Sequence, residues 1–186
     1  MKDVVLPVAV AIALAFLIQA AVAKPYEIPT PSMVPTIKVG DRVIANRVIY
    51  KLRDIERGDI IVFEPTLAAR RSCGQAADQS DKTPFVKRVI GLPGEHVELF
   101  AGRRDIVVDG VSFDVAAAAS YPEEGIDQSV PTKTFDVPQG KIFVLGDNRT
   151  DSCDSHQWED PYVPIGNVIG QAEVTYWPLR HLKFLR

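Results

Sequence analysis

Cysteine is nearly absent from this chain, with two in 186 residues, which excludes a fold stapled by many disulfides. Cys73 and Cys153 can form at most one bridge, and the sequence leaves that bridge and a pair of unpaired thiols equally open. Histidine is almost as scarce, at three (His96, His156 and His181). No pair of Cys or His stands at ligand spacing, so no metal is expected, and neither Cys sits in a local signature for a thiol nucleophile. There is no run of basic residues; the net charge is −3 with both signs interspersed, which argues against a nucleic-acid partner. Internal repeats and a G-x-S-x-G elbow are also missing. The adjacent Asp154, Ser155 and His156 are a poor triad, because consecutive residues rarely converge in that geometry.

One long apolar run is present. Val4–Ala23 holds 20 residues without a charge, with Gln19 as its one strongly polar side chain. A helix of that length covers roughly 30 Å, the thickness of a hydrocarbon core. Ala21-Val22-Ala23 has the small-x-small look of a signal cleavage site, but the run exceeds the usual ~7–15-residue apolar region, and Lys2 is offset by Asp3. A retained anchor over residues 1–24 is the expectation, followed by a single domain over residues 25–186.

That domain reads as mostly β. Short Val/Ile-rich runs, 42–45, 59–63, 86–90, 105–108 and 141–145, are separated by Gly, Pro and Asp. Asp109-Gly110 predicts a tight turn. Beyond residue 24 only Val48–Ile55 carries a weak helical period. Residues 64–84 and 116–139, richer in Ala, Ser, Asp, Gln and Pro, are expected as surface excursions.

Three stretches carry chemistry. In Thr30-Pro31-Ser32-Met33-Val34-Pro35-Thr36 each proline fixes its own φ and extends the residue before it, so Ser32 is expected on a stiff, non-helical segment just after the apolar run. A rigid hydroxyl there is a candidate nucleophile. In Phe85-Val86-Lys87-Arg88-Val89-Ile90 side chains alternate faces, so one of the two cations must lie among apolar neighbours. A desolvated lysine gives up its proton and an arginine does not, which makes Lys87 the possible amine base; on strand pattern alone, an edge-strand charge that discourages aggregation is the commoner role. Leu145–His156 packs hydroxyls, carboxylates and a cation behind an apolar strand. It is either a polar loop capping its own backbone, or one in which Ser152 orients a lysine amine while Asp154 or Asp147 pairs with Arg88 or Arg149.

Pro31-Ser32-Met33-x-Pro35-Thr36, Gly58-Asp59-Ile60-Ile61-Val62, Lys87–Glu95 and Gly146-Asp147-Asn148-Arg149-x-x-Ser152-x-Asp154-Ser155 together resemble type I signal peptidase, the membrane-bound Ser/Lys endopeptidase of protein export. The four blocks stand in that family's order. The resemblance implies an N-terminal transmembrane helix, an antiparallel β catalytic core and a smaller accessory β region within about 96–140. It makes Ser32 the nucleophile and Lys87 its general base, with Thr30 as a second oxyanion donor, Ser152 positioning the amine, and Asp154, Arg88 and Asp147 in support. It implies no cofactor and no metal, preproteins with signal peptides as partners beside the lipid bilayer, and cleavage after small residues at −1 and −3. The catalytic domain is expected outside the cytoplasm, held by a single-pass anchor in the inner or plasma membrane. A specialised peptidase maturing one secreted or conjugation substrate is the alternative. His156 stands where many members have Arg, which leaves open what pairs with Asp154.

Overall fold

The computed structural model describes residues 22–75, 83–100, 105–113 and 133–185, together with Val8 and Val10. Apart from Val8, Val10, Val22 and Ala23, the apolar run lies outside these residues. Among the described residues no helix is long and apolar enough to cross a membrane.

Two antiparallel sheets make up the fold. The larger joins β1 (Ala23–Glu27), β2 (Arg42–Asn46), β3 (Ile60–Phe63), β4 (Phe85–Gly91), β9 (Lys141–Leu145), β10 (Tyr162–Pro164) and β11 (Val168–Trp177) in the order β1-β2-β11-β3-β4-β9-β10, with β12 (Lys183–Phe184) also paired to β11. The smaller runs β7-β6-β5-β8, from β5 (His96–Leu99), β6 (Ile106–Val108), β7 (Val111–Phe113) and β8 (Lys133–Asp136). At the β6–β7 hairpin Asp109 and Gly110 both take positive φ, 50° and 77°, the turn expected of an Asp-Gly pair.

The expected strands are rich in β-branched residues, and the central ones, β3, β4 and β9, are buried along nearly their whole length. Two readings need correcting. Residues 64–84 are not all excursion, since Leu67–Ser72 is a short helix, α1, with Thr66 Oγ1 accepting from Ala69 N–H as its N-cap. Lys133–Asp136 is strand β8, inside the stretch expected to leave the sheets. The weak helical period at 48–55 becomes a single 3-10 turn, Ile49–Lys51.

Three apolar clusters hold these layers together. Ile28, Met33, Ile37 and Val43 pack with Ile60 and Val62 on one side of the larger sheet. Ile61, Phe63, Val89, Val144 and Trp158 form a second cluster, against which the Cys73–Cys153 disulfide packs. The third joins the sheets, Ile90, Phe143 and Leu145 meeting Val97, Ile106 and Val108. Removing any of these large aliphatic side chains costs roughly 2–5 kcal/mol. Asp59 ties the 49–56 segment to this frame, accepting hydrogen bonds from Arg53, Tyr50 Oη and Gln171 at 2.9–3.0 Å.

Candidate active site

Ser32 sits in the 3-10 turn Pro31–Met33, so the segment expected to be non-helical makes one helical turn. Proline at the first helical position loses no hydrogen bond there and arrives with its φ already set. Thr30 and Val34, each preceding a proline, are extended (φ −123°, ψ 154° and φ −67°, ψ 140°) and bound the turn on both sides. Met33 beneath it is fully buried in the first cluster, which pins the turn. Ser32 itself is buried, and Thr30 Oγ1 lies 3.3 Å from Ser32 Oγ.

Lys87 comes from β4, across from Ile61 of β3. Its Nζ donates to Ser32 Oγ at 2.7 Å across 55 residues of sequence. Burial drives the Lys87 pKa down to about 8, against the opposing pull of the Asp154 and Asp147 carboxylates. Strand alternation led to the expectation that one cation of Lys87 and Arg88 would be buried; both are. Arg88 tolerates this because Asp147, also buried, takes a bidentate pair from its Nε at 2.8 Å and its Nη2 at 2.7 Å, while Nη1 donates to Gly58 O.

The loop after β9 closes around the serine turn. Asn148 N–H donates to Ser32 O at 3.0 Å and Asn148 Nδ2 to Pro31 O at 3.2 Å. Gly146 passes so near that a Cβ there would overlap Ser152 Oγ and the Ser32 carbonyl oxygen, so no other residue fits. Ser152 Oγ donates to Asp154 Oδ2 at 2.5 Å, and Gly146 N–H reaches the same oxygen at 2.8 Å. The other Asp154 oxygen, Oδ1, meets the ring Nδ1 of His156 at 2.5 Å. Ser155 takes no part, since its hydroxyl accepts from Val144 N–H at 3.0 Å and serves the sheet.

The structure thus brings Ser32, Lys87 and Thr30 together, with Ser152, Asp154, Asp147 and Arg88 behind them. Sequence reasoning gave Gly146 no role beyond its place in the motif and left the partner of Asp154 open; the structure supplies a close approach for the first and His156 for the second. A cavity of about 310 Å³ opens beside the pair, lined by Tyr26, Ile28, Phe85 and the disulfide as well as by Ser32 and Lys87. Cys153, next to Ser152, is fastened through that disulfide to the C-terminal end of α1. Among the described residues no group of three or more His, Cys, Asp or Glu is placed to hold a metal ion. Chemically, a buried amine with a lowered pKa against a hydroxyl is equipped to remove its proton.

Known proteins resemble this chain over most of its length. A family profile described as signal peptidase, peptidase S26, matches residues 1–177. Signal peptidase I of Leptolyngbya laminosa is 40% identical over 175 residues, covering 94% of this chain and 79% of that one. The probable signal peptidase I-2 of Synechocystis is 39% identical over 178 residues, covering 94% and 72%. The probable thylakoidal processing peptidase 2 of Arabidopsis thaliana is 38% identical over 171 residues, covering 90% of this chain and 42% of that one. With its profile match running nearly end to end and its relatives aligned over most of their own length, the chain belongs to the signal peptidase family, peptidase S26.

Proposed function

We propose that this protein is a membrane-anchored endopeptidase that removes signal peptides from exported preproteins with a Ser32/Lys87 dyad. The observation that carries the reading is the 2.7 Å contact between Lys87 Nζ and Ser32 Oγ, with both residues buried. As an ammonium Lys87 donates in that contact; as a neutral amine it accepts the Ser32 proton while Oγ attacks the scissile carbonyl carbon. The proton passes to the leaving amine as the peptide bond breaks, leaving an ester on Ser32. Lys87 then takes a proton from water, whose oxygen displaces Ser32 from the ester. The oxyanion of each tetrahedral intermediate is met by the Ser32 backbone N–H and the Thr30 hydroxyl. Ser152, held by Asp154, keeps the amine in place.

The largely apolar cavity supports an extended peptide with small side chains at −1 and −3, laid along a sheet edge. Membrane attachment rests on the Val4–Ala23 run and gains support from the C-terminal end of the domain. There Trp177, Leu179, Leu182 and Phe184 are 50%, 70%, 61% and 81% exposed and alternate with Arg180 and Lys183. Apolar side chains interleaved with cations suit a lipid surface on the extracytoplasmic side. An anchored enzyme meets its substrate where the scissile bond emerges from the same bilayer.

The test is cleavage of a preprotein carrying Ala at −3 and −1 by the full-length protein in detergent and lipid, beside Ser32→Ala and Lys87→Ala. Cleavage after the −1 residue that both variants lose is expected. Normal turnover by folded Lys87→Ala would remove the proposed base.

A further inference from the structure

A cavity of about 220 Å³ lies between the stretch that follows the serine turn and the C-terminal end of the domain, and it shares no lining residue with the cavity beside Ser32. Lys38 lines it from the first segment, and Arg180, His181 and Lys183 line it from the second. Asp41, the one acidic side chain in the lining, joins the two segments: Oδ1 meets His181 Nδ1 at 2.6 Å, and Oδ2 accepts from the Lys38 backbone N–H at 2.9 Å. Asp41 is buried, whereas Lys38, Arg180 and Lys183 are exposed and, among the described residues, stand in no ion pair. Their charge is open to a ligand. The space is smaller than the roughly 300–1,000 Å³ of a small-molecule site and suits a single anionic group. Apolar side chains flank it on both segments: Val39, beside Lys38, is 56% exposed, and Leu182 and Phe184 stand on either side of Lys183, exposed like Trp177 and Leu179.

Taking the membrane-facing reading of this end as its basis, we infer that the pocket binds the phosphate of an anionic glycerophospholipid. Arg180 offers a planar fork that matches two phosphate oxygens, and Lys38 and Lys183 add point charges on stems long enough to lie along apolar surface. A soluble anion would need the cations alone. The exposed apolar chains beside them commit the site to a lipid, because they enter the acyl boundary next to a headgroup held in the pocket. Each Lys or Arg near an anionic surface strengthens binding about fivefold. Lys38 follows the serine turn along the chain, and the intervening Ile37 N–H donates to Met33 O at 2.8 Å, so a lipid held here sets where Ser32 stands relative to the bilayer.

Trp177 reports on this end, being half exposed, whereas the other tryptophan, Trp158, is buried in the second cluster. Full-length protein is reconstituted in phosphatidylcholine vesicles in which a rising share of the lipid is replaced by acyl-brominated phosphatidylcholine or acyl-brominated phosphatidylglycerol. Quenching of Trp177 is read as the difference from Trp177→Phe. Brominated phosphatidylglycerol is expected to reach half-quenching at about a 10-fold lower share than brominated phosphatidylcholine. Lys38→Gln/Arg180→Gln/Lys183→Gln should bring the two within about twofold while keeping its native near-UV dichroism. Arg47→Gln/Lys51→Gln/Arg71→Gln removes as much charge from exposed residues outside the pocket and should keep the preference. Should the pocket variant fail to fold, Arg180→Gln alone decides, with the preference cut about fivefold. Equal quenching of the wild type by both lipids would overturn the inference, and so would a preference lost alike in the two triple variants, which is the mark of diffuse surface attraction. A preference abolished by inorganic phosphate, but not by sodium chloride of equal ionic strength, would also overturn it, since the pocket would then take the free anion. Quenching by neither lipid would instead refute the membrane-facing reading of this end.

Discussion

Lys87→Met exchanges a buried amine for an apolar chain of similar length, and the expected product is an inactive protein that is harder to unfold. The pKa of Lys87 falls from 10.5 to about 8 in the folded protein, chiefly through burial. Each unit corresponds to about 1.4 kcal/mol, so the folded state carries a penalty of about 3 kcal/mol for holding the ammonium. Below pH 8 folded and unfolded chains are both protonated and that penalty is present in full. Between pH 8 and 10.5 the folded state releases the proton that the unfolded chain keeps, so stability rises with pH, and above 10.5 the penalty is gone. Met removes it at every pH but forfeits the hydrogen bond to Ser32 Oγ, worth about 1 kcal/mol net. At pH 7 the variant should therefore gain about 2 kcal/mol, and the gain should vanish by pH 10.5. Urea unfolding in detergent at both pH values reads this directly, with peptide cleavage assayed on the same samples. A variant no more stable than wild type at pH 7, or equally stabilised at both pH values, would refute the account of a strained, desolvated base. The same shift explains the use of the penalty: at pH 7 about one lysine in ten is neutral at a pKa of about 8, some 300 times more than for an unperturbed side chain.

Asp147→Asn leaves Arg88 buried with its bidentate partner lost, and unfolding free energy should fall by about 3–5 kcal/mol in a urea titration. Gly146→Ala forces a methyl group into Ser152 Oγ and the Ser32 carbonyl; kcat should drop by about 100-fold or more while the protein remains folded by circular dichroism. Thr30→Val removes a hydroxyl 3.3 Å from Ser32 Oγ, and a fall of about 10²-fold in kcat with little change in KM is expected if it meets the oxyanion. The double variant Cys73→Ser/Cys153→Ser opens a link across 80 residues and should lose about 2–4 kcal/mol of stability, measured as a lowered melting temperature against wild type without reductant.

Much of the frame was legible because its strands announce themselves: Ile142–Leu145 is an unbroken apolar run, and Asp109-Gly110 marks its hairpin. The longest strand was not. Val168–Trp177 pairs with β2, β3 and β12, yet it contains Gly170, Gln171 and Glu173, and its alternation is broken where the register slips against both β2 and β3. Side chains that serve neighbours across the sheet, such as Gln171 on Asp59 and Glu173 on Asn46, look polar in sequence and structural only in space. The short helix α1 was hidden for a different reason, because six residues hold too few turns for a period to register. At the site, the residues supplying chemistry were visible one by one, whereas partner choice was not: Asp147 with Arg88 and Asp154 with His156 are contacts that spacing leaves undetermined.

That partner choice is what separates two adjacent cations. Lys87 and Arg88 share a strand, point to opposite faces and are equally buried, so burial alone does not set them apart. Arg88 is met by Asp147 with two hydrogen bonds, the bidentate geometry that suits a planar guanidinium. Lys87 donates to a hydroxyl instead, while the Asp154 carboxylate is turned toward Ser152, Gly146 and His156. Both arrangements come from one loop, residues 146–156, packed against the serine turn by Asn148. On the proposed reading, moving that loop toward Lys87 would bring a carboxylate onto its amine, favour the ammonium and weaken the base without changing either Ser32 or Lys87. Gly146 lets the loop approach the serine turn this closely, so on the proposed Ser32/Lys87 reading it is as much a condition of the chemistry as that pair.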